Sequence, residues 1–287
     1  MSLKAFPSIF TFSPKSNNMA KDAFAFSGDD AFNYETYLGP LLFETSSIEF
    51  LSRLNPEGVG SVLELAAGTG RTTKHLREYF KASTNITATD LNEDMLRLAR
   101  KKLHDSTIDF QLADIQGLPF PDDSFDMILC QYGLMFLTDK PKGFQEVYRV
   151  LKPGGRFVFS TWDNTGNTPL FKLIFNDLIL PIFKKEDSAR LTVPFSLYDP
   201  QKLISFLQAA GFIDNQVLPL LFKSGPTTAE NVVKGFLLKH PLSRSVAEID
   251  PTATESLAKE MQERLVTQFG SEEIIFDLRA FMGSGQK

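Results

Sequence analysis

An α/β fold, a mostly parallel sheet with helices on both faces, is predicted by two features of this chain. Short apolar runs alternate with helical patterns between residues 61 and 160, the rhythm of strand–helix–strand units. The glycine-rich and acidic strings fall just after those runs, where open sheets of this kind place ligand sites.

Taken in order, residues 1–30 read as loose, with Ser, Asn, Pro and paired Asp. The spacing predicts a helix over 34–54. Pro40 suits a first helical turn, and Leu41, Thr45, Ile48, Leu51 and Leu54 share one face. Asn55-Pro56-Glu57-Gly58 ends it. SVLEL (61–65) reads as the first strand, 72–80 as a helix and ITAT (86–89) as the second strand. Asn92 can cap a helix carrying Met95, Leu96, Leu98, Ala99 and Leu103. IDFQL (108–112) and FDMILC (125–130) follow as strands, then a helix near 142–151. After the Pro153-Gly154-Gly155 turn, RFVFS (156–160) is the fifth strand.

Beyond Thr161 the rhythm breaks. Residues 163–199 are aromatic and partly helical. A helix over 200–210 stops at Gly211, and 212–222 is apolar enough for a strand. Helical patterns near 227–240 and 252–269 precede a last strand over 274–282. The whole chain, 1–287, reads as one domain: a sheet core from about 55–162 with 200–222 and 272–287, and a helical cap from 1–54, 163–199 and 226–270.

Bulk composition narrows the function. The net charge is −5 with no Lys/Arg block, which disfavours a nucleic-acid substrate. The single cysteine, Cys130, excludes an internal disulfide or a four-thiolate zinc site. It lies in an apolar run and reads as a core thiol. No apolar run approaches the ~20 residues that span a bilayer, and the start lacks a secretory h-region. A cytoplasmic monomer or homodimer with no metal is expected. Phenylalanine is abundant, 27 against 6 Tyr. Those outside the strands, among them Phe171, Phe175, Phe195 and Phe236, fit either a core or an apolar substrate pocket.

The segment VLELAAGTGRTT (62–73) carries the strongest signal. A strand ends, a turn with Gly68 and Gly70 follows, and a helix begins. Glycine permits a tight turn and close backbone approach by a ligand, and the helix N-terminus favours an anionic group. Thr73 stands where a dinucleotide fingerprint has its third glycine, and the Glu64 carboxylate would repel a pyrophosphate. It would tolerate a zwitterion with an ammonium group. Asp90, at the tip of the second strand, can accept hydrogen bonds from ribose hydroxyls. Its bland alternative is a helix cap. Asp114, in QLADIQGLPFPDDSFD (111–126), can accept from an adenine amine with Ile115 against the ring. Asp126 reads as structural.

Together ELAAGTG, the Asp90 tip, ADIQGLPFPDDSFD and VLKPGGRFVFS resemble the class I S-adenosylmethionine (SAM)-dependent methyltransferases, nearest the small-molecule, quinone-biosynthesis type. YETYLGPLLFE (34–44), FSLYDPQKLISFLQAAGF (195–212) and the closing IIFDLRAFMGSGQK are weaker echoes. The resemblance implies a Rossmann-like, seven-stranded sheet with its last strand antiparallel. It implies SAM as cofactor. Glu64, Ala66, Gly68, Thr69 and Gly70 would line the methionine end, and Asp90 the ribose. Leu91 and Met95 would flank the nucleoside, and Ala113, Asp114 and Ile115 the adenine. Gln131 and Tyr132 match the position facing the methyl group, and Tyr37 would close the site. Arg71 fits either the SAM carboxylate or an ordinary surface arginine.

The expected activity is methyl transfer to a carbon or oxygen of a small, largely apolar acceptor. Positioning alone offers roughly 7–11 kcal/mol to such a transfer. No general base stands out. Tyr37, Tyr132 and His240 are the candidates, while His75 and His104 read as packed or helix-end residues. Gln131-Tyr132-Gly133-Leu134 lacks the Asn/Asp-Pro-Pro-Tyr string of amide and adenine N-methyltransferases. One cysteine argues against arsenite, and no acidic cluster resembles a catechol enzyme's magnesium site. Two rivals remain: a nicotinamide oxidoreductase, disfavoured by Glu64 and Thr73, and a non-catalytic SAM-binding regulator or partner subunit.

Overall fold

The computed structural model describes residues 29–287, apart from the side chains of 185–187. The part of the expected cap over 1–28 lies outside the described residues. Seven strands form one sheet: β1 (Ser61–Leu65), β2 (Asn85–Asp90), β3 (Ile108–Leu112), β4 (Phe125–Gln131), β5 (Leu151–Trp162), β6 (Ile213–Lys223) and β7 (Asp277–Gln286). Their order is β3-β2-β1-β4-β5-β7-β6. β1 to β5 run parallel, and β7 lies antiparallel between β5 and β6. The strand order turns back between β1 and β4, so a crevice opens at their carboxyl ends.

Side-chain alternation puts a core on each face. Val62, Met127, Leu129 and Val158 join Leu76, Phe80, Ile86 and Phe50 on one side. Leu63, Leu65, Ile128, Cys130, Phe157 and Phe159 face the larger core on the other, with Phe144, Leu203 and Leu207. Cys130 has no exposed surface, and burial pushes its thiol pKa up to about 12. Phe171 lies within 5.1 Å of Phe195 and 6.2 Å of Phe236, ring centre to ring centre. With Phe175 these rings are buried, so they build core rather than pocket wall.

Helix ends follow local chemistry. The Asn92 side chain accepts the Asp94 and Met95 N–H groups and starts Glu93–Leu103. Asp139 and Asp199 do the same for Lys140–Val150 and Pro200–Ala210. Asp126 is structural in its geometry: it accepts the Gly60 and Ser61 N–H groups and pairs with Lys152.

Two expectations about elements are corrected. Helix runs without a break from Asp29–Asn33 through a π-helical Tyr34–Phe43 to Glu44–Leu51. Pro40 therefore sits mid-helix, not in a first turn. The wider π turn tolerates it, and the Glu44 N–H bonds back to Gly39 five residues earlier. The π register also rotates the face: Leu38, Leu41, Leu42, Phe50 and Leu51 are buried, while Ile48 is 53% exposed. In β5, Pro153-Gly154-Gly155 does not precede the strand but lies within it as a bulge. The register against β4 jumps from Phe125–Leu151 to Met127–Arg156.

Residues 163–199 and 226–270 supply helices beyond the sheet, including Lys172–Ile179, Leu242–Ile249 and Ala253–Phe269. Ala253–Phe269 packs against Lys172–Ile179. No helix of the described residues is long and apolar enough to cross a membrane.

Candidate functional site

A cavity of about 730 Å³ opens at the carboxyl ends of β1, β2, β4 and β5. Its walls bring together most of the residues singled out from the sequence: Ala66, Gly68, Thr69, Arg71, Asp90, Leu91, Met95, Ala113, Asp114, Ile115, Gln131, Tyr132 and His240. Among the described residues no group of His, Cys, Asp and Glu could hold a metal ion.

The polar end is built on backbone. One Asp90 oxygen accepts the Gly68 N–H at 2.8 Å, and the other accepts the Asn92 N–H at 2.8 Å. Burial raises the Asp90 pKa against these bonds. The carboxylate thus ties the glycine turn to the tip of β2. Gly68 has φ of +56°, and a Cβ there would meet no protein atom within 4 Å. Its bare backbone faces the cavity. Asp114 accepts the Gln116 N–H at 2.9 Å.

At the strand tips, Ala66 and Tyr132 both have φ of +54°. Non-glycine residues in this region carry strain, about 1–3 kcal/mol each, and cluster at functional sites. Tyr132 stacks on Trp162 with ring centres 4.0 Å apart, and Phe43 tilts against both. Tyr34 stacks on Phe43 at 5.2 Å. The Tyr132 hydroxyl lies 2.6 Å from Ser46 Oγ, and burial raises its pKa. Gln131 Nε2 donates to Ser46 Oγ, while its Oε1 accepts from Thr72 at 2.6 Å and Ser47 at 2.9 Å. This network fixes the end of β4 to both neighbouring helices.

Part of the remaining wall is apolar, formed by Leu38, Leu42, Met135, Leu137, Val193 and Pro194, with His240 also on the wall. His240 Nδ1 accepts the Leu242 N–H at 3.1 Å. Burial pushes its pKa down to about 4, with Arg244 adding and Asp30 opposing. So weak a base is poorly matched to proton abstraction at neutral pH.

Three assigned residues lie elsewhere. Tyr37 is not on the cavity wall; its ring meets Lys234 Nζ at 6.0 Å, and Tyr34, on the other side of the π helix, lines the cavity instead. Gly70 also stands off the wall. A Cβ there would come within 2.9 Å of Ala99 Cβ, so its lack of a side chain serves packing against Glu93–Leu103. Glu64 is 2% exposed, behind the turn, and accepts from Thr73 Oγ1 at 2.6 Å. Thr73 therefore answers Glu64 rather than replacing a glycine beside a phosphate. Arg71 reaches the wall but is already engaged by Glu35 and Glu44.

Burial raises the Glu64 pKa to about 8, against the Thr73 bond. In the unfolded chain it ionises near 4.5. The folded state then holds its proton longer, and stability drains away as pH rises between those values. The Tm of Glu64→Gln should fall less than that of the parent protein between pH 5 and pH 8. Parallel Tm-against-pH curves would mean that Glu64 ionises normally.

Sequence reasoning missed Tyr34, Phe43, Thr72 and Trp162, all on the wall. Trp162 was detectable: it ends β5 at the edge where the other site residues gather. Tyr34 and Phe43 depend on the π register, which no local pattern announces.

A methyltransferase domain family matches residues 63–159, from β1 into β5. The ubiquinone/menaquinone biosynthesis C-methyltransferase UbiE of Proteus mirabilis is 35% identical over 164 residues, 53% of this chain and 65% of that protein. UbiE of Pseudoalteromonas translucida is 41% identical over 101 residues, 34% of this chain and 40% of that one. The chain thus spans less than two thirds of the length of these relatives. Haemonchus contortus phosphoethanolamine N-methyltransferase 2, solved with phosphomonomethylethanolamine and S-adenosylhomocysteine, superposes with a TM-score of 0.60. It is 18% identical, the match covering 98% of this chain and 61% of that one; at that identity the likeness is one of fold.

Proposed function

We propose that residues 63–159, matched by a methyltransferase domain family and similar to the UbiE C-methyltransferases, are the core of a SAM-dependent methyltransferase, and that the protein transfers a methyl group from SAM to a carbon or oxygen of a small, largely apolar acceptor. The observation that carries this reading is the division of one cavity. Backbone-held carboxylates and a glycine turn form one end, an aromatic wall the middle, and aliphatic side chains the other end.

SAM supplies a methyl group already activated by a sulfonium. The chain then has to bind, orient and exclude water. Asp90 would accept from the ribose and Asp114 from an adenine amine, with Leu91, Met95 and Ile115 against the rings. Gly68 admits the nucleoside close to the backbone. Ala66, Thr69 and Arg71 border the methionine end. Tyr34, Tyr132 and Trp162 offer aromatic faces to a cation, a contribution of about 0.5–2 kcal/mol. Leu38, Leu42, Met135, Val193 and Pro194 match an apolar acceptor and keep water from the transfer. The sheet serves the cofactor, and the helices of 163–199 and 226–270 serve as the acceptor-side cap. This reading includes a cytoplasmic protein acting as monomer or homodimer.

The test is transfer from methyl-labelled SAM to a panel of hydrophobic phenols, hydroquinones and enols. Label entering an organic-soluble product is expected. Tight binding of S-adenosylhomocysteine with no transfer to any acceptor would replace this reading with that of a non-catalytic binder.

A further inference from the structure

The expectation that an anionic group sits before the helix Arg71–Tyr79 is met by the chain itself. Glu35 reaches in from the π-helical Tyr34–Phe43 segment. Its carboxylate accepts from Thr69 Oγ1, from Arg71 Nη2 at 2.6 Å and from Lys102 Nζ at 2.8 Å. The Glu35 carbonyl takes a further bond from the same Nη2 at 3.1 Å. Arg71 Nη1 is turned away to Glu44 at 2.5 Å, which His75 also contacts.

A guanidinium grips a carboxylate best through two parallel N–H groups. With Nη1 committed to Glu44, the edge left for a ligand is Nε with Nη2. Nε is buried without a hydrogen-bond partner. Nη2 is held by Glu35. Gly39, one turn along from Glu35, lies so close over the guanidinium that a Cβ would fall 2.5 Å from Nη2 and 2.7 Å from Nε. One helical segment therefore both fills and covers this edge. The same segment carries Tyr34, Leu38, Leu42 and Phe43 into the cavity wall.

We propose that Glu35 is the protein's own occupant of a carboxylate subsite at Arg71, and that the cofactor carboxylate takes the Nε–Nη2 edge by displacing it. The inference rests on the SAM-binding reading above. Glu35 sets cofactor affinity by competition, and loading of the methionine end shifts the segment that forms the acceptor wall.

The experiment compares two ligands by calorimetry: S-adenosylhomocysteine, which has the carboxylate, and 5′-methylthioadenosine, which lacks the whole amino-acid end. Glu35→Gln should tighten S-adenosylhomocysteine binding about tenfold and leave methylthioadenosine within twofold of the parent protein. Gly39→Ala, whose Cβ would fall on the Nε–Nη2 edge itself, should weaken S-adenosylhomocysteine binding and leave methylthioadenosine within twofold. Methylthioadenosine affinity also reports that each variant is folded. Weaker or unchanged S-adenosylhomocysteine binding in Glu35→Gln, with methylthioadenosine still bound, would overturn the competition. Failure of the parent protein to bind either nucleoside would instead overturn the SAM-binding reading.

Discussion

Asp90→Ala is expected to weaken S-adenosylhomocysteine binding by roughly 1.5–3 kcal/mol, the scale of a hydrogen bond to a charged group. That is about a ten- to hundredfold rise in Kd, read by calorimetry. The loss has two sources. Removing the carboxylate takes away the acceptor offered to the ribose, and it frees the Gly68 N–H that Asp90 holds at 2.8 Å. Asp90→Asn keeps the shape and an oxygen, so it should lie between the parent and alanine. An unchanged Kd in Asp90→Ala would remove Asp90 from the nucleoside site.

Gly68→Val should abolish detectable binding while the protein still folds. The new Cβ would point into the open cavity, with no protein atom within 4 Å, so it would occupy space a ligand needs. The positive φ of +56° adds a folding cost of about 1–3 kcal/mol for a β-branched residue. Gly70→Val provides the contrast. Its Cβ would collide with Ala99, so its damage should appear in the Tm before it appears in binding. A Gly68→Val protein that kept its affinity would show that the ligand does not approach this turn.

Much of this architecture was legible because the sheet core is locally encoded. IDFQL became β3 with its ends unchanged, and Pro200–Ala210 ran from an Asp cap to Gly211 as its residues require. Asp90, Asp114 and Gln131 reach the cavity wall because strand tips are where an open parallel sheet presents side chains. The placements that differ from the expectation share one cause: each depends on contacts distant in sequence. Glu64 reads as a ligand-facing acid until Thr73 is seen bonded to it behind the turn. Gly70 reads as a ligand glycine until Ala99 is found against it. Tyr37 came from the resemblance of the entry segment, whereas Tyr34 lines the cavity from a helix whose π turn no local pattern announces. Arg71 lines the cavity, and its acidic partners come from residues 35 and 44, in a separate helical run.

The solitary thiol, buried near the carboxyl end of β4, has a practical use. Cys130 has no solvent contact and almost no thiolate at neutral pH, so an alkylating reagent reaches it only when the strands around it part. With no second cysteine to blur the signal, its labelling rate becomes a clock for opening around the end of β4. Cofactor and acceptor analogues can be ranked by how far they slow that clock, without any assay of turnover.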